Sequence, residues 1–160
     1  MTELLAPAGN FEALVAAISN GADAIYLGMG KFGARAYASN FDEESFKQAI
    51  EYAHLREVKI YVTMNTIIFE DEIEPMKEMV DFLVSSNVDG IIVQDLVILD
   101  YIVNKYPDIE AHCSTQMGID DVEGALLCKE LGSNRVVLAR EVPFEKVKEI
   151  KKAADIPIEI

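Results

Sequence analysis

Tryptophan is absent from this sequence, cysteine occurs twice, and basic residues are half as numerous as acidic ones. Each shortage excludes something. No apolar run approaches the ~18–20 residues that a membrane-spanning helix requires. The opening stretch, MTELLAPAGNFEA, has no basic region ahead of its apolar residues, so it does not read as a signal peptide, and a cytoplasmic location is expected. The two cysteines, Cys113 and Cys128, fit no zinc or iron–sulfur spacing and are too few for a disulfide framework. They read as small buried hydrophobes, and no metal site is expected. With 14 basic against 28 acidic residues the formal charge is −14. Such a field repels a phosphate backbone, so no direct nucleic-acid binding by this acidic chain is expected through general electrostatics. The motifs of common hydrolases are missing too: there is no GxSxG elbow and no HExxH.

What is present is a strict alternation. Short apolar runs (ELLA, AIYLG, KIYVTM, GIIVQ, EAHCS, RVVLA and PIEI) are separated by six helical patterns. Near-continuous apolarity over four or five residues suits strands covered on both faces, which means parallel strands. Between them, sets such as Phe46, Ala49, Ile50, Ala53 and Met76, Met79, Val80, Leu83 recur at helical spacing. Asn10, Asp42 and Asp120 are suited to N-caps, and Pro143 to a first helical position. A weak internal repeat joins SNGADAIYLG, SSNVDGIIVQ and LGSNRVVLA: a helix end, a tight turn, a short polar residue (Asp23, Asp89, Asn134), then a strand.

Two architectures fit such alternation. A doubly wound sheet that binds dinucleotides has a glycine-rich first turn, which APAGNFEA is not. The reading is therefore an α/β fold, a (β/α) TIM-type barrel truncated after about strand seven, with residues 1–160 forming a single partial domain. The chain is then expected to be the N-terminal part of a longer protein. Strands one and seven would be open edges, inviting a homodimer through them or an altered docking of the last helix and strand.

In such barrels the active face is the C-terminal rim of the strands. Polar residues gather there: Asn65 after strand three, Gln94 and Asp95 after strand four, Ser114 and Gln116 after strand five, and Arg140 with Glu141 after strand six. Alternation along a strand puts His112, Ser114 and Gln116 on one side, and Tyr61, Thr63 and Asn65 on one side. Arg140 and Glu141 either orient a ligand or form an ion pair closing the barrel mouth. The longest connection, Gly28 to Asn40, carries Arg35, a residue suited to gripping a carboxylate or phosphate. His54 reads as an inert helix-surface residue. No nucleophile–base pair is visible. His112 and Cys113 point to opposite faces, and same-face residues two apart lie about 7 Å from each other, which separates Ser114 from His112.

The stretches ELLAPAGNFEALVAAISNGADAIYLG, FGARAYASNF, VDGIIVQD, HCSTQM and RVVLARE together resemble the N-terminal half of the collagenase-like peptidases, peptidase family U32. The resemblance spans essentially the whole chain. It implies a longer protein whose signature opens near Glu159 and continues into cysteines beyond it. The first functional expectation from it is a peptidase fragment, inactive alone, with a peptide or other polar substrate at the strand ends. An alternative is an iron–sulfur-dependent factor for hydroxylation of tRNA, rRNA or a ubiquinone precursor, with its cluster cysteines outside this chain. A non-catalytic binding scaffold is a further alternative. Cys113 and Cys128 do not match the cluster positions, so no cofactor is expected in this chain itself. The catalytic residues stay unassigned, and the candidates for substrate binding are Arg35, Asn65, Gln94, Asp95, His112, Ser114, Gln116, Arg140 and Glu141.

Overall fold

A computed structural model describes residues 2–30 and 41–160. Arg35 lies outside the described residues. Seven strands alternate with six helices: β1 (Leu5–Pro7), α1 (Phe11–Ser19), β2 (Ala24–Gly28), α2 (Glu43–His54), β3 (Lys59–Met64), α3 (Ile73–Ser85), β4 (Gly90–Val93), α4 (Leu96–Lys105), β5 (Glu110–Cys113), α5 (Val122–Glu130), β6 (Arg135–Val137), α6 (Phe144–Ala154) and β7 (Ile158–Glu159). All neighbours pair in parallel in the order β1 to β7, which leaves β1 and β7 as the two edges. The last strand therefore docks in sequence order beside β6, and not in an altered place. Among the described residues no helix is long and apolar enough to cross a membrane.

The sheet is curled. Adjacent strands lie about 4.8 Å apart, so β1 and β6 would be separated by roughly 24 Å in a flat sheet. Instead Arg135 Nη1 on β6 donates to Glu3 Oε1, just before β1, at 2.5 Å. Tyr61 on β3 donates to the same Glu3 at 3.2 Å. Only a sheet bent towards a cylinder brings β1, β3 and β6 within side-chain reach. The (β/α) barrel architecture is thus what the chain adopts, as a curled seven-stranded part.

The outer face of the sheet meets the helices and is apolar. Ile25, Leu27, Ile60, Val62, Ile91 and Val93 are essentially inaccessible there. They pack against one stripe per helix, for example Phe46, Ala49 and Ile50 of α2 and Met76, Val80 and Leu83 of α3. Burial of each such aliphatic side chain stabilises by about 1.5–3 kcal/mol relative to exposure. Asn10 and Asp42 cap α1 and α2 as their sequence positions suggest, Asp42 in a reciprocal box with Ser45. The cap of α5 is Asp121 and not Asp120. Its carboxylate accepts from Gly124 N at 2.7 Å, and the helix starts one residue later, at Val122. Pro143 sits just before α6, because its ψ of 146° is extended.

The internal repeat has a structural cause. Asp23 accepts from Leu4 N at 2.8 Å, Asp89 from Ile60 N at 2.7 Å, and Asn134 from Ala111 N at 2.8 Å. In return, the backbone N–H of Asp23, Asp89 and Asn134 donates to the carbonyl of that same partner residue. Each short polar side chain locks the entry of its strand to the strand before it. Asp89 also holds His54 Nε2 at 2.9 Å, so that helix-surface histidine has a partner.

Candidate functional site

The inner face of the same strands is polar, which is unusual for a parallel sheet. Its lower part is filled by a charged network. Lys59 opens β3 and donates to Glu110 at the start of β5 at 2.6 Å. His112 follows two residues later on the same face, and its Nε2 lies 2.9 Å from Glu110 Oε2. An ionised carboxylate only accepts, so the proton is on Nε2 and Nδ1 is left as an acceptor. Hydrogen bonds from His112 and then Lys59 hold the Glu110 carboxylate down to about 2. Burial keeps the His112 imidazole below its ordinary value, against the upward pull of Glu110. The Tyr61 ring meets His112 edge-on with centroids 4.6 Å apart. Gly90 makes room for it, since a Cβ there would lie 3.1 Å from Tyr61 Cδ1 and 2.7 Å from the Glu110 carbonyl oxygen. Arg135 completes this floor between Glu3 at 2.5 Å and Glu159 at 3.8 Å.

Above the floor lies a cavity of about 880 Å³. Its polar lining includes Thr63, Asn65, Ser114, Gln116, Arg140 and Glu159, and its apolar lining includes Leu5, Tyr26, Ile92, Val137 and Phe144. The same-face reading of β3 and β5 thus brings Asn65 and Ser114 together: Asn65 Nδ2 donates to Ser114 Oγ at 3.3 Å. Ser114 Oγ also accepts from Gln116 N at 3.2 Å.

The other sequence candidates divide. His112 is fully buried in the floor and does not line the cavity. Gln94 donates to the Gln116 carbonyl at 3.1 Å, and with Asp95 it borders a separate shallow groove of about 410 Å³ beside Ile67, Leu96 and Met117. Asp95 is the N-cap of α4, accepting from Val97 N and Ile98 N, so it is engaged in holding the helix. Arg140 lines the cavity, whereas its neighbour Glu141 is exposed and outside it. The sequence reading missed Glu3, Lys59, Glu110, Arg135 and Glu159. Extending the period-two reading of β3 and β5 towards their first residues would have found Lys59 and Glu110.

Nothing in this arrangement is proteolytic machinery. Ser114 Oγ is engaged by Asn65 and Gln116, and His112 by Glu110. The described residues do not fit an iron–sulfur cluster either. Cys113 and Cys128 lie side by side, buried between β5 and α5, and among the described residues no group of three or more His, Cys, Asp or Glu could hold a metal ion.

The chain is 39% identical over 157 residues to the tRNA hydroxylation protein P1 of Bacillus subtilis, covering 98% of this chain and 37% of that protein. It is 41% identical over 157 residues to the 23S rRNA 5-hydroxycytidine C2501 synthase of Escherichia coli, covering 98% of this chain and 23% of that protein. The chain therefore spans well under half the length of these relatives. Among solved structures, that of the U32 peptidase Mk0906 superposes with a TM-score of 0.83 at 17% identity, over 99% of this chain and 67% of that one, a likeness of fold. The expectation of a peptidase is corrected by these findings: the relatives at 39–41% identity are RNA hydroxylation proteins, and the interior holds no nucleophile–base pair among the described residues. The family itself stands, since the sequence model of Peptidase family U32 matches residues 9–160, and the chain belongs to that family.

Proposed function

We propose that this chain is the barrel portion of a protein that takes part in hydroxylation of tRNA or rRNA. The observation that carries the reading is the similarity, over 98% of the chain, to two proteins named for that chemistry. The interior is consistent with it. A cavity of about 880 Å³ is within the range of small-molecule sites, and its mix of apolar wall with a few placed polar groups is what such sites use. Asn65, Ser114, Gln116 and Arg140 supply those groups from three strand ends. The charge of −14 disfavours a long phosphate track on this chain, so recognition here is centred on a base and its nearest phosphate. An iron–sulfur cluster serving the reaction would be held by residues other than those described, because Cys113 and Cys128 are committed to the β5–α5 interface.

The test is genetic and chemical. The gene encoding this chain is deleted in its own organism, and total tRNA and rRNA are digested and measured by mass spectrometry. Loss of a hydroxylated nucleoside, restored on re-expression, is the expected result. An unchanged nucleoside profile overturns the reading.

A further inference from the structure

Part of the rim carries charge of one sign only. Residues 65–76 after β3, 94–104 after β4 and 114–128 after β5 contain no lysine, arginine or histidine. They contain nine acids, among them Glu70, Asp71, Asp95 and Asp120. The strands β3, β4 and β5 are neighbours in the sheet, so the three stretches make one acidic sector. Arg140, by contrast, lines the cavity from the side of β6.

Within that sector lies the shallow groove of about 410 Å³ walled by Ile67, Leu96, Val97 and Met117. Its apolar walls are open to solvent. Ile67 is 73% exposed, Leu96 54% and Val97 49%, and Phe69, two residues from Ile67, is 74% exposed. Ile68 packs against the core, and its two neighbours face out. Of the eleven large apolar side chains that are exposed among the described residues, four are therefore gathered here. Folding gains nothing from apolar area left in water, and an apolar patch with a polar border marks an interaction surface. The charge decides what covers it. Nucleic acid and anionic lipid are repelled by the carboxylates. A second copy brings its own charge of −14, and its most lysine-rich helix, α6, interleaves Glu145 and Glu149 with the lysines. A cationic protein segment with an apolar face satisfies both the groove and its border.

We propose that this groove docks a separate protein, which lays in it the apolar face of a helix flanked by lysine and arginine. Helices of this kind place apolar side chains at i, i+3 and i+4 into a groove. The surrounding acids steer the cations and fix their register. Gln116 lines both the groove and the cavity, so the docked helix stands at the cavity's edge. It brings positive charge to the sector of the rim that has none. The surface is distinct from the cavity and does not depend on the RNA-hydroxylation reading.

The probe is a synthetic helical peptide with leucine at i, i+3, i+4 and i+7 and lysine at the other positions. It is titrated into the isotope-labelled chain and followed by NMR and calorimetry. Shifts are expected at Ile67, Leu96, Val97 and Met117, with an affinity that falls as salt is added. A peptide with glutamate in place of lysine is expected not to bind. A peptide of the first composition with its leucine stripe scrambled is expected to bind roughly tenfold more weakly, which separates the groove from charge attraction alone. Ile67→Ser combined with Leu96→Ser is expected to cost roughly tenfold, and both side chains are exposed, so the fold is kept. Glu70→Gln with Asp71→Asn is expected to weaken binding about threefold. Glu51→Gln with Glu57→Gln makes the same change of charge away from the rim and is expected to leave affinity unchanged. Equal binding of the scrambled peptide, shifts that map away from the groove, or shifts at these residues with an RNA oligonucleotide instead overturns the proposal. Self-association of the chain that Ile67→Ser with Leu96→Ser abolishes gives the groove to a second copy and overturns it too. The titration is repeated on the whole gene product, where absence of the shifts means that its own chain fills the groove, which again overturns the proposal.

Discussion

On β3, Ile60, Val62 and Met64 turn outward into the helices, while Lys59, Tyr61, Thr63 and then Asn65 turn inward. On β5, Ala111 and Cys113 turn outward, while Glu110, His112 and Ser114 turn inward. One strand therefore carries two kinds of structure at alternate positions. The outer half is a close-packed apolar layer with nothing to satisfy. The inner half is a chain of charges and hydroxyls that must satisfy one another, and it leaves His112 Nδ1 and Glu159 Oε2 over. The difference locates function: shape is held by the outer residues, and chemistry is available only on the inner ones.

The most damaging way to break this division is to remove Arg135, a cation that serves two acids. Arg135→Ala leaves Glu3 and Glu159 without their partner in a part-buried floor, and is expected to cost about 3–5 kcal/mol in urea unfolding. The sharper form adds Glu3→Gln and Glu159→Gln to an Arg135→Met background. Neutralising the whole group should recover most of the loss, whereas no outer-face change can compensate. Ile60→Ala, on the outward face of β3, comes next at about 3 kcal/mol, through the cavity it leaves among packed side chains.

A smaller effect comes from protons. His112 is held neutral in the folded state, with its proton affinity lowered by burial, while in the unfolded chain it titrates near its ordinary 6.5. As pH falls through that value the unfolded chain takes up a proton that the folded one refuses, so stability declines on acidification. Glu110 works in the same direction at lower pH. Its folded carboxylate ionises near 2, so the stability it adds is full above its ordinary 4.5 and is lost as pH falls from there towards 2. Urea midpoints at pH 7.5 and 5.5 should therefore differ in the parent, and His112→Phe should remove most of that difference.

How much of this was legible beforehand follows from the range of each interaction. The outer layer is written locally, in apolar runs and helical stripes, so strands, helices and two of the three proposed caps could be read directly. The rim was readable in part, because the period of two put Asn65 and Ser114 on inward faces. The floor was not. Glu3 and Arg135 are 132 residues apart, and no local pattern joins them until the sheet curls. Asp95 shows the opposite case: a polar residue at a strand end has the look of a ligand group, and the first turn of α4 also engages its carboxylate. His54 lies on the helix surface as read, but its partner Asp89 was not legible, since it is brought to it by the packing of α2 near β4.

The mildest prediction concerns the strand-entry locks, where the two faces meet. Asp23, Asp89 and Asn134 do one job with two chemistries, an accepting carboxylate or an accepting amide oxygen. If the accepted N–H is what matters, charge is dispensable. Asp23 is the cleanest place to ask, because its side chain accepts from Leu4 N and the site is solvent-exposed. Asp23→Ala should cost about 1 kcal/mol, the net worth of one such bond. Asp23→Asn should cost only a few tenths, since position 134 already uses an asparagine for the same bond. Urea unfolding of the two variants at low and high salt separates the cases. A loss in Asp23→Asn equal to that in Asp23→Ala would make the lock electrostatic, and the repeat would then be a repeat of charge, with Asn134 its exception.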